Sequence, residues 1–240
     1  MRHALSGDLH LHAPVSTAPD QESDPSDVVG ETARASNPSK GGTVVRRLTS
    51  EADLQAAREA FHRVFRSGDP FTAPFQPWVQ GRAIIYPVLY YLKPDKYEPV
   101  ATAAQRLGET LAYVSVTETH RGEGDKWDDF QHWEVELDPY PYHTLTQDWD
   151  WVPIMGQALY SVNGTWGVLT SPAVLGGPPA FMQVLEAHFN LEEQIRECID
   201  YYADEHRRRR RNIDWFVDLV QHVYGPEKGR RLLAEAGLIH

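Results

Sequence analysis

The chain has 240 residues, 41 % of them hydrophobic and 24 % charged, with a formal net charge of −11 at pH 7. Those values suit a globular protein, and a field of that sign repels nucleic acid and favours cationic partners. No apolar run approaches the ~20 residues that cross a bilayer, and the only cysteine, Cys198, leaves no intrachain disulfide or cysteine-based zinc site. The expectation is a cytoplasmic chain with no membrane contact, one domain behind a tail.

Residues 1–43 are rich in Ser, Thr, Pro, Asp, Gly and Ala and contain no aromatic side chain. Such a stretch buries too little apolar surface to offset its ordering entropy, so a disordered tail is expected. A single α+β domain over 44–240 follows. "TVVRRLT" reads as a short strand. Ser50 is an N-cap with Asp53 at N3, and Leu54, Ala57, Phe61, Val64 and Phe65 keep helical spacing over 51–66. "SGDP" stops that helix. "FTAPFQPW" is a loop whose aromatics pack over the core. "RAIIYPVLYYL" has strand composition, with Pro87 marking a bulge or an edge.

Residues 95–107 form a short helix with Val100, Ala103, Ala104 and Leu107 inward, stopped by Gly108. "LAYVSVTE" is a strand and "THRGEGDKWDD" a polar loop. "HWEVELD" alternates strictly: Trp133, Val135 and Leu137 face one side, His132, Glu134, Glu136 and Asp138 the other. "QALYSVNGTWGVLTS" predicts a hairpin with a type I′ turn at Asn163-Gly164, Ser161 opposite Trp166 and Leu159 opposite Val168. Pro178 or Pro179 opens a helix, and the helical part runs from about 179 to 240. The loops between the later strands are too short for crossovers. The class is therefore α+β, with a mainly antiparallel sheet and an N-terminal helix and C-terminal helical segment packed on it.

Four groups of residues invite a functional reading. Asp8, His10 and His12 in "DLHLH" stand in a pattern that resembles the first metal motif of PHP-type phosphoesterases and some amidohydrolases. That resemblance implies a metal site ending a buried strand of a β/α barrel. "MRHALSG" before the motif is not apolar enough for a barrel strand, and no strand–helix repeat follows it. A metal site also needs ligands fixed by a second layer of contacts. No metal and no other cofactor is therefore expected.

Arg207, Arg208, Arg209, Arg210 and Arg211 suggest a nucleic-acid adaptor. Five consecutive helical residues span about 400° of the circumference, however, and so share no face. Cations are favoured at a helix C-terminus, Asp204–Arg208 and Glu205–Arg209 have i,i+4 spacing, and Asn212 caps the next helix. A nucleic-acid partner is not the expectation. "LGGPP" offers few backbone donors for an anion, because both prolines lack an N–H, and Gly176 and Gly177 read as a tight turn.

The acidic-aromatic window is the main candidate. Residues 123–150 hold nine acids and one base, Lys126. Trp127, Asp128, Asp129, Glu134, Glu136, Asp138, Asp148, Trp149, Asp150 and Trp151 form the expected partner-binding set. Carboxylates beside aromatics suit a basic protein surface through charge-assisted and cation–π contacts. The expected function is non-catalytic binding of a basic protein partner, with toxin neutralisation of the immunity type as one concrete form. The alternative is a hydrolase-like site in residues 118–148, pairing His120, His132 or His143 with Glu118, Glu134 or Asp148. No catalytic motif fixes such a pair, so no catalytic residue is assigned, and Cys198 falls in an apolar helical stripe.

Overall fold

The computed structural model describes residues 45–71, 73–86, 91–117, 131–147, 156–170, 172–210 and 212–239. The expected tail, the bulge at Pro87, the "DLHLH" motif, His120 and seven members of the partner-binding set (Trp127, Asp128, Asp129, Asp148, Trp149, Asp150 and Trp151) lie outside these residues.

In chain order the elements are β1 (Val45–Arg47), α1 (Glu51–Val64), β2 (Gly81–Ile85), α2 (Pro94–Arg106), β3 (Leu111–Thr117), β4 (Gln131–Glu136) and α3 (Pro139–Gln147). They continue with β5 (Gly156–Ser161), β6 (Gly167–Leu169), β7 (Ala173–Gly177), α4 (Pro179–Phe189), α5 (Leu191–Arg209), α6 (Asp214–Tyr224) and α7 (Pro226–Glu235). The seven strands make one sheet in the order β1-β4-β3-β5-β6-β7-β2, antiparallel at every pairing. The class is α+β.

Both faces of the sheet are covered. Alternation sends Val114, Trp133, Val135, Leu159 and Leu175 to one face, where they pack with side chains of α2, α3 and α4. The other face carries Ile84, Tyr113, Tyr160 and Val174 under α1, α5, α6 and α7. This second layer changes the meaning of the "HWEVELD" pattern. The two sides divide as the alternation requires, but the polar side does not open wholly to water: His132 is only 4 % exposed.

Local chemistry explains most boundaries. The Ser50 hydroxyl accepts the Asp53 N–H and starts α1. Asn190, at φ 44°, breaks the chain between α4 and α5. The Asn212 side chain accepts the Asp214 N–H at the start of α6. Three sequence expectations change. Helix α3 replaces a stretch read only as acidic and aromatic. Its Pro139 and Pro141 lie in the first turn, where no intrahelical N–H is needed.

The hairpin has the expected register, with Leu159 opposite Val168 and Ser161 N–H donating to the Trp166 carbonyl. Its turn is not type I′, because Gly164 has φ 66° and Asn163 does not share that sign. Gly164 N–H bonds to the Ser161 carbonyl, and the Ser161 hydroxyl accepts the Asn163 N–H. Gly176 and Gly177 are not a turn but the end of β7, paired with Arg82 and Gly81. A Cβ at Gly176 would stand 2.8 Å from Phe75 and Val79, and one at Gly177 2.7 Å from Phe181. Close packing, not turning, demands glycine there.

Candidate functional site

Three members of the partner-binding set are described, and they differ in character. Glu134, mid-strand on β4, is paired across the sheet with Arg46, whose guanidinium reaches it at 3.2 Å and Asp53 at 2.7 Å. The bond to Asp53, then that to Glu134, raises the Arg46 pKa, while Arg46 and then Ser50 hold Asp53 below its usual value. Glu134 thus ties β1 and α1 to the sheet. Glu136 is half-exposed at the end of β4 and Asp138 is exposed just beyond it, where the Asp138 carbonyl accepts the Tyr97 hydroxyl.

The sheet register relates the two acidic stretches that flank these strands. Residues 118–130 join Thr117 to Gln131, and residues 148–155 join Gln147 to Gly156. Val116 is the cross-strand partner of Gln131, and Thr117 that of Gly156. Three of the four attachment points are therefore neighbours at one end of β3. The two stretches carry seven acids (Glu118, Glu123, Asp125, Asp128, Asp129, Asp148 and Asp150) against Arg121 and Lys126, with three tryptophans. Glu136 lies opposite Leu111, so it and Asp138 belong to the other end of β4.

The histidines do not assemble a His–carboxylate site among the described residues. His132 is buried on the α1 side, with Ser115 Oγ 2.7 Å from its Nδ1 and Tyr160 Oη 2.9 Å from the same oxygen. His143 lies across the sheet on α3, edge-on to Tyr97 and Tyr142. The sheet separates the two rings. The Ser115–His132–Tyr160 network escaped the sequence reading, although a lone Ser in "LAYVSVT" and a His in the strictly alternating next strand were its signal. Burial raises the Tyr160 pKa well above its ordinary value, so the phenol stays protonated.

Two more polar clusters are built into the framework. Glu109, 6 % exposed, accepts hydrogen bonds from the Ser161 hydroxyl at 2.6 Å, the Thr165 hydroxyl at 3.0 Å and the Trp166 indole at 3.0 Å. It pins the β5–β6 hairpin to the start of β3. Arg82 donates to the carbonyls of Val79, Gln76 and His222, and the Phe75 N–H points to His222 Nε2 at 3.3 Å. Burial first, then the Arg82 and Arg66 charges, lower the His222 pKa to about 4.

Other features offer little chemistry. A groove of about 550 Å³ runs between β2, α4 and α6, but its cations are engaged: Arg82 by carbonyls, Lys228 by Glu192 and the Tyr224 ring. Burial pushes the Cys198 thiol up to about 12, which leaves it un-ionised. Arg208 pairs with Asp204 and Arg209 with Glu205 at the end of α5, as the i,i+4 spacing requires. Among the described residues no three His, Cys, Asp or Glu side chains group as metal ligands, and no helix is long and apolar enough to cross a membrane. Comparison with protein-family models, curated proteins and solved structures finds no match.

Proposed function

We propose that this is a cytoplasmic, non-catalytic binding protein that recognises a basic protein partner, and that the contact forms at the end of β3 where the two acidic stretches attach. The carrying observation is the register Val116–Gln131 and Thr117–Gly156, which makes neighbours of three of the four residues to which the acidic stretches attach. The two stretches hold seven carboxylates and three indoles, groups that suit arginine and lysine side chains through charge-assisted bonds and cation–π contact. Toxin neutralisation of the immunity type is a concrete form of this reading: it needs an acidic, rigidly framed surface and no reaction chemistry.

The framework supports that economy. His132, His222 and Glu109 all take part in bonds that join one element to another. Glu134 is better regarded as a framework residue than as a contact, since its carboxylate is spent on Arg46. The test is charge reversal of Asp128, Asp129, Asp148 and Asp150 to Lys in the full chain, followed by affinity capture from the source lysate. The unaltered protein should retain strongly basic proteins that elute with salt, since exposed charge pairs weaken beyond a Debye length of about 8–10 Å. The reversed protein should lose them. Equal recovery by both forms would sink the proposal.

A further inference from the structure

The two edges of the sheet are finished in opposite ways. On β2, the N–H groups of Ile84 and Tyr86 point away from β7 and are taken by the Tyr224 hydroxyl at 3.0 Å and the Gln194 carbonyl oxygen at 2.9 Å. Side chains from α6 and α5 thus occupy two outward donors of that edge. On β1, Leu48 N–H donates to the His132 carbonyl. By antiparallel alternation Arg46 also faces β4, and Val45 and Arg47 present their N–H and C=O groups outward. All three β1 residues are exposed, and these four backbone groups meet no partner among the described residues.

The side chains state what such an edge accepts. Arg47 lies 6.0 Å from the centre of the Trp133 ring and, among the described residues, pairs with no carboxylate. Val45, on the same face two residues earlier, is 37 % exposed. Arg46, on the opposite face, is already neutralised by Asp53 and Glu134. A second copy paired symmetrically about Arg46 would set Arg46 against Arg46 and Val45 against Arg47. That register leaves the Arg47 cation opposite an apolar side chain, with no counter-charge to receive it.

We propose that the open β1 edge receives an extended segment of another protein as an added antiparallel strand, with an acidic residue opposite Arg47 and an apolar residue opposite Val45. Main-chain bonds to Val45 and Arg47 supply the affinity, and the acid-x-apolar alternation supplies the choice of segment. This contact uses a different element and the opposite charge from the acidic end of β3.

The experiment is an NMR titration of the ¹⁵N-labelled full chain with two blocked pentapeptides, TETVT and TKTVT. TETVT should shift the amides of Val45 and Arg47 first, and bind about two- to fivefold more tightly than TKTVT, the ratio expected of one cross-strand charge pair. Arg47→Glu should reverse the order of the two peptides. Arg47→Pro should abolish binding of both while circular dichroism and thermal midpoint hold, because that N–H faces outward; if it fails to fold, the Arg47→Glu reversal decides. Shifts centred elsewhere, no shifts, equal affinities, or no reversal would overturn the proposal. So would slow amide exchange at Val45 and Arg47 in the protein alone, or concentration-dependent shifts there without peptide, which would reveal an edge already covered.

Discussion

At the scale of single residues, buried polar groups decide more than exposed charge does. Glu109 forms no ion pair among the described residues, yet four donors converge on its carboxylate, Asn163 Nδ2 at 3.5 Å being the longest. Removing it strands the Trp166 indole N–H in a fully buried ring, while the two hydroxyls can turn to each other. Glu109→Ala should cost about 3 kcal/mol in urea unfolding, the scale of a buried unsatisfied donor plus lost charge-assisted bonds. Glu109→Gln, which keeps one acceptor oxygen, should cost less. His222 gives a pH dependence of definite sign. Its folded pKa of about 4 lies below the ordinary 6.5, so between those values the unfolded chain binds more protons, and stability falls as pH drops from 6.5 towards 4. His143, also lowered chiefly by burial, adds in the same direction. His222→Gln preserves an acceptor for Phe75 N–H and should flatten, not abolish, the slope of unfolding free energy against pH.

At the scale of elements, the glycines of β7 show how packing overrides local signals. Gly177→Ala places a methyl against Phe181 and the Trp166 Cβ, two residues whose rings stack at 5.2 Å. A loss of about 1–3 kcal/mol is expected from overpacking, measurable as a lower urea midpoint at unchanged m value. "GGPP" reads as a turn because glycine and proline usually punctuate; the close approach of Phe75, Val79 and Phe181 is a tertiary fact absent from the local string. The same limit hid α3, whose prolines mask a helix start. It also hid the His132–Ser115 bond, which joins residues seventeen apart across two strands. What periodicity alone could reveal came through: the α1 cap, the hairpin register, the α4 start at Pro179 and the α5 pairs. Of the candidate site, the charge was legible in composition. The nearness of Thr117, Gln131 and Gly156, from which those stretches lead, was not, since it depends on β3 lying between β4 and β5.

At the scale of the molecule, an antiparallel sheet clothed on both faces needs both coverings. Helices α6 and α7 supply Phe216, Leu219, Val220, Leu232 and Leu233 to the layer over Ile84 and Val174. A chain ending after Arg210 should bare that layer and leave Ile84 N–H without Tyr224. It is expected to bind the dye ANS and lose a cooperative thermal transition while keeping most of its far-ultraviolet signal, the behaviour of a compact state without fixed packing. The unequal finish of the two sheet margins reaches further. Cross-β stacking requires a template with two growing sides, because each newcomer must offer the next a vacant ladder. Here one side has two of its outward N–H groups occupied from within by a phenol and an amide, so a second copy of this chain finds fewer vacant donors there than on β1. Growth of like chains through this sheet is disfavoured at the β2 margin.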